Sequence, residues 1–174
     1  GKTGEKGGIW LNFLYGDQDG TLDENGAFLD DNGELISSAG SLFQADVTAG
    51  WNLSEKFYLG VNASMQSVAP GEAFTGPGAI QDLDGDASSF SGIALYPKIT
   101  LSESFAVGLR GEYFAIKNGH LGIFGLDDNG DGSVMEFTLS GNYKVGGFTF
   151  IPEFRIDTTS EDSFADKDGE ASTL

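Results

Sequence analysis

Residues 43–66 read FQADVTAGWNLSEKFYLGVNASMQ, and two strands joined by a tight turn can be taken straight from them. Phe43, Ala45, Val47, Ala49 and Trp51 occupy every second position, with Gln44, Asp46, Thr48 and Asn52 among those between. After Leu53-Ser54-Glu55 the pattern resumes: Phe57, Leu59, Val61, Ala63 and Met65 alternate with Tyr58, Gly60, Asn62, Ser64 and Gln66. Successive side chains of a strand point to opposite faces, so each segment carries one apolar and one polar face. An ordinary strand has about five or six residues, whereas a tilted strand crossing a bilayer needs about ten. These segments have the longer length.

The same alternation extends outward, to residues near 9–16, 90–100, 104–116, 133–145 and 147–157. Phe105, Val107, Leu109 and Tyr113 oppose Gly108, Arg110 and Glu112. Met135, Phe137, Leu139 and Tyr143 oppose Glu136, Thr138, Ser140, Asn142 and Lys144. Phe148, Phe150, Phe154 and Ile156 oppose Thr149, Glu153, Arg155 and Asp157. A soluble β-sandwich also alternates, so the pattern alone does not separate it from a barrel. The connections do. Leu53-Ser54-Glu55, Leu101-Ser102-Glu103 and Gly146-Gly147 are tight, while residues about 17–40, 68–88, 117–132 and 158–174 form long, polar, Gly- and Asp-rich joints. Outer-membrane barrels alternate short periplasmic turns with long extracellular loops in this way. The expected architecture is therefore all-β, an antiparallel up-and-down transmembrane β-barrel occupying residues 1–174 as one domain.

Aromatic residues sharpen that expectation. Trp51, Phe57, Phe105, Tyr143 and Phe148 flank the short turns, and Phe43, Tyr113, Phe137 and Phe154 recur on the apolar face toward the long joints. Two such levels are the interfacial girdles of a lipid-facing band. Leu53 to Gly60 and Leu101 to Gly108 repeat one another as LSEKFYLG and LSESFAVG, which indicates shared turn chemistry. Pro97 and Pro152 fall within strand patterns and, lacking an N–H, each predicts a bulge or a strand end. The first segment, from Ile9 to Tyr15, is apolar on both faces except at Asn12, which predicts packing against a further strand or a plug. Seven strands starting from a turn at Gly1 to Gly8 cannot close a barrel of even strand number, so the expectation is an incomplete barrel with at least one strand beyond Leu174.

Composition removes several functions. The chain has nine Lys and Arg against 27 Asp and Glu, a net charge of −18, and no basic stripe to neutralise phosphates, so nucleic acid is not an expected partner. It has no cysteine, which excludes disulfides and thiolate metal or redox sites. No apolar run reaches the roughly 18 residues of a membrane helix.

Gln44-Ala45-Asp46-Val47, Phe57 to Asn62, Leu109-Arg110-Gly111-Glu112-Tyr113-Phe114, Leu139 to Val145 and Phe150-Ile151-Pro152-Glu153-Phe154-Arg155-Ile156-Asp157 resemble the C-terminal half of the OmpL-like β-barrel porins of Bacteroidota. The resemblance spans residues of about 9–170 and lacks a final strand with its terminal aromatic. It implies an outer-membrane location and contact with membrane lipid, without naming a solute.

The polar face carries the candidate pore-lining residues Asp46, Lys98, Arg110, Glu112, Glu136, Lys144, Glu153 and Arg155. Continuing the register from the Gly146-Gly147 turn sets Glu153 near Ser140 and Arg155 near Thr138, which brings Glu136, Glu153 and Arg155 toward one cluster. Such a cluster is either a selectivity region of a water-filled pore or a set of charges that neutralise each other in a narrow lumen. The long joints hold most of the acids, several in short Asp-Gly patterns at Asp17, Asp82, Asp127 and Asp166. Asp127, Asn129 and Asp131 best match the oxygen-donor spacing of a calcium loop, although Thr138 stands where such a loop needs a bidentate acid. No cofactor other than calcium is a candidate. His120, the single histidine, has no nucleophile or metal partner near it in sequence and is expected to be exposed. With no catalytic constellation, an enzyme is not expected. The leading expectation is a porin-like barrel passing small hydrophilic solutes. The alternative is an accessory barrel of a larger outer-membrane complex whose acidic loops bind calcium or a surface partner.

Overall fold

The computed structural model describes residues 1–4, 6–17, 41–69 and 86–174. Within them every regular element is a strand: β1 (Lys2–Gly4), β2 (Gly7–Asp17), β3 (Ser41–Asn52), β4 (Phe57–Val68), β5 (Ser88–Ser102), β6 (Phe105–Lys117), β7 (Gly132–Val145), β8 (Phe148–Phe150), β9 (Glu153–Thr159), β10 (Phe164–Ala165) and β11 (Ala171–Ser172). Strands β1 to β7 pair with their sequence neighbours, β8 and β9 both pair with β7, and every pairing is antiparallel. This is an up-and-down sheet. Among the described residues no ladder joins its first strands to β9, so the sheet is open, as expected of an incomplete barrel.

The tight turns form where the chain supplies their chemistry. Ser54 Oγ accepts the backbone N–H of Lys56 and of Phe57, at 3.3 and 3.0 Å. Ser102 Oγ accepts that of Ser104 at 3.3 Å, so the repeated Leu-Ser-Glu stretch does reuse one turn. At the third turn Gly146 takes a φ of +58°, open to glycine at little cost. The opening turn is narrower than Gly1 to Gly8, because Lys2–Gly4 already pairs with Gly7–Ile9.

The two prolines behave differently. Pro152 ends a strand as expected, splitting the seventh segment into β8 and β9, yet one register runs through both: Tyr143 faces Phe150 and Ser140 faces Glu153. Pro97 is neither a bulge nor a strand end. It keeps its place opposite Leu59 on β4, while the ladder to β6 skips Tyr96 and Pro97 and resumes in the same register at Lys98. The missing N–H interrupts the ladder on one side only. The register shift in this hairpin falls instead between Thr100 and Ser102.

Burial is inverted relative to a soluble sheet. On the apolar face Phe13 is 70% exposed, Phe137 58% and Phe154 63%, while Glu136 on the polar face is 5% exposed. A sandwich would bury the first set and wet the second. Phe105, Tyr143 and Phe150 form one row near the short turns, and Tyr113 lies eight residues up β6. That is roughly 27 Å along a strand, or close to 20 Å along a membrane normal at the usual tilt, near the height of a lipid-facing band. The buried apolar residues Leu42, Val68 and Ile116 lie on the polar face at the long-joint end.

Candidate functional site

Register places the polar-face charges in rows across β5, β6, β7 and β9. One row reads Tyr96, Arg110, Thr138, Arg155, with Tyr96 facing Arg110 across the gap in the ladder; the next reads Ala94, Glu112, Glu136, Asp157. Cations and anions thus occupy adjacent rows on one wall. Glu136 joins them: one carboxylate oxygen lies 3.5 Å from Arg110 Nη1 and 3.3 Å from Arg155 Nη2, and Thr138 Oγ1 donates to the other at 2.7 Å. Arg110 also pairs with Glu112 and lies over the Tyr96 ring, 5.8 Å from its centre. Arg155 Nε donates to both Asp157 oxygens at 2.9 Å. Glu136 is covered, whereas the arginine side chains are 38% and 56% exposed, so each guanidinium keeps a face to solvent.

Of the sequence candidates, Arg110, Glu112, Glu136 and Arg155 come together. Glu153 stays opposite Ser140, one row below, and makes no ion pair among the described residues. Lys98 lies 5.5 Å from the centre of the Tyr58 ring, and Lys144 pairs with Thr149 near the short turn. Asp46 sits strands away, where Asn12 Nδ2 donates to its Oδ1 at 2.8 Å. Tyr58 folds over Gly50, whose missing Cβ would stand 2.2 Å from the tyrosine oxygen. Asp157 and Tyr96 were absent from the candidate set. Asp157 was findable, being two residues from Arg155 on the same face.

His120 overturns its expectation: it is 5% exposed, not solvated. Its Nε2 lies 2.7 Å from Gln66 Oε1 on β4 and its Nδ1 3.0 Å from Ser88 Oγ on β5. The ring is 5.5 Å from Phe90, which stacks on Phe114, and Phe114 meets Phe124 edge-on. Burial holds the imidazole below the ordinary histidine range. Sequence spacing gave no hint, because Gln66 and Ser88 lie 54 and 32 residues away.

Asp127, Asn129 and Asp131 share one turn, in which one Asp127 oxygen and both Asp131 oxygens have partners within the protein. Asp127 Oδ1 accepts the backbone N–H of Asn129 and Asp131, both at 2.9 Å. Asp131 pairs with Lys117 and accepts the N–H of Asn118 at 3.2 Å. The lysine's hydrogen bond holds the Asp131 carboxyl below the usual carboxylate value. Among the described residues no three His, Cys, Asp or Glu side chains converge. The Asp17 and Asp82 patterns lie essentially outside the described residues. In the Asp166 turn, Asp166 Oδ1 accepts the N–H of Asp168 and Glu170.

Comparison with curated proteins gave no match, and neither did comparison with solved structures. A family model does match, over residues 2–174. The long strands, the exposed apolar face and the charged rows on the opposite face agree with what that family is described as, and the chain belongs to it: "Putative beta-barrel porin-2, OmpL-like".

Proposed function

We propose that this chain forms part of the wall of a bacterial outer-membrane pore that lets small hydrophilic solutes pass passively. The observation that carries the reading is the charged double row of Arg110, Glu112, Glu136, Arg155 and Asp157 on the face opposite the lipid-facing band. Ions packed in a dry core would lose hydration without return, whereas half-exposed guanidiniums on a wetted wall keep water and still attract one another's partners. Membership of a porin family supports the pore and its location, and the Arg-Gly-Glu-Tyr-Phe and Ile-Pro-Glu-Phe-Arg stretches support a Bacteroidota source. No catalytic step is assigned. The test is single-channel recording of the complete protein in planar bilayers. Discrete conductance steps are expected, and silence at all voltages would end the reading.

A second reading, an accessory barrel within a larger outer-membrane assembly, draws on one feature. Trp10 and Leu14 share the polar face with Asn12, yet are 45% and 56% exposed. Apolar groups there fit contact with a plug or partner. Gentle detergent extraction that yields the protein alone would count against it.

A further inference from the structure

We infer that His120 is the positioning residue that draws the joint of residues 118–131 across the polar face and thereby sets the width of the pore's long-loop mouth, an inference that rests on the pore reading above. Loops ordinarily run over the outer surface of a fold. This one turns inward. Asn118 and Gly119 have φ of 51° and 66°, two consecutive left-handed residues that reverse the chain immediately before the histidine. The joint leaves β6, and its ring reaches Gln66 on β4, two strands or about 10 Å away.

The receiving side is arranged for that ring. Gln66 Nε2 donates to Gln44 Oε1 at 2.7 Å, which aims its carbonyl oxygen at His120 and requires a proton on Nε2 of the imidazole. The other nitrogen then accepts from Ser88 Oγ. Donation thus runs one way, from Ser88 on β5 through His120 to Gln66 on β4 and on to Gln44 on β3, with the loop residue held in the middle of the chain. Phe90 closes one side, and Phe124, from the same joint, lies against Phe114. Other contacts brace the joint at its base, Lys117 with Asp131, Gly119 N–H to Gly130 O at 2.8 Å and Asn118 Nδ2 to Ala87 O at 3.1 Å, and at its middle, where Gly125 N–H donates to Ser163 Oγ at 2.8 Å. None of these bracing contacts reaches β4.

The experiment uses the complete protein with two readouts: backbone hydrogen exchange over residues 118–131, and exclusion of graded polyethylene glycols from the open channel in planar bilayers. In His120→Ala, exchange at the tip of the joint should rise roughly ten- to a hundredfold, as expected for two lost hydrogen bonds. Larger polymers should enter, and ion preference should hold. His120→Gln, which keeps one donor toward Gln66, should fall between. If His120→Ala fails to insert, Ser88→Ala removes one partner without altering the joint and is read in the same way. Unchanged exchange and an unchanged size limit would overturn the inference. Faster exchange in a protein that conducts nothing would retain the anchored joint, remove the pore, and overturn the assigned role in mouth width.

Discussion

At the scale of single residues, Glu136 and His120 are both covered polar groups on the same face, and they answer to different variables. Glu136 is one of three carboxylates, with Glu112 and Asp157, set against two guanidiniums, Arg110 and Arg155. Replacing it by Gln brings the cluster from one net negative charge to none, and each arginine keeps a partner. Reversal potentials should therefore shift away from cation preference. Stability should fall by only on the order of 1 kcal/mol, because the guanidiniums are substantially solvated and Thr138 can still donate to the amide oxygen. His120 responds to pH. Its folded value lies below its ordinary 6.5, so the anchoring of the joint is complete above that pH and weakens as pH falls through it toward the folded value. Gln66, Ser88 and Phe90 face the ring and carry no charge, and the charged pair on the neighbouring joint base is Lys117 with Asp131. Asp131 titrates below 3.8, so that pair survives the window. Measured against the intrinsic exchange rate at each pH, protection of residues 118–131 should fall between pH 7.5 and 5 in the native protein, and His120→Gln should abolish the difference.

At the scale of elements, the strands were legible because period two survives in one dimension: every segment from Phe43 to Asp157 kept its two faces in the structure. Register across the Gly146 turn was legible too, since two residues of turn fix which residues face each other, and Arg155 does stand opposite Thr138. What sequence could not show was Pro97, whose missing N–H matters only on the β6 side, and the His120 joint, whose partners come from other hairpins. The two faces make opposite predictions for neighbouring positions. Leu139 lies in the row of Leu109 and Phe154, halfway between Phe105 and Tyr113 on the exposed apolar face, so Phe154 stands at mid-band and not in the long-joint aromatic level that the sequence suggests. Leu139→Arg should destabilise the complete protein by about 2–4 kcal/mol in equilibrium unfolding from phospholipid. Ser140→Arg, one residue on and on the polar face, should cost far less. Equal costs would mean that the faces are misassigned.

At the scale of the whole molecule, the up-and-down topology gathers every long joint at one end of the sheet. The joints attach where Asp17 faces Ser41, where Val68 faces Ser88, beyond Lys117 and beyond Thr159. Most of the 27 acids lie in the sequence of these joints rather than in the strands, and on the pore reading proposed above the net charge of −18 belongs chiefly to the mouth rather than to the wall. On the wall itself, opposite charges occupy adjacent rows and largely cancel. Discrimination between cations and anions should then arise chiefly from the field of the mouth, which draws cations inward over distances of about a Debye length. That length is about 10 Å at 0.1 M salt and about 3 Å at 1 M. Reversal potentials of the complete protein should therefore show clear cation preference under dilute gradients and lose most of it in molar salt. Glu136→Gln should remove a further part that is less sensitive to salt, because its partners lie within ion-pair distance. A cation preference that stayed constant from dilute to molar salt would place selectivity in the wall rather than the mouth.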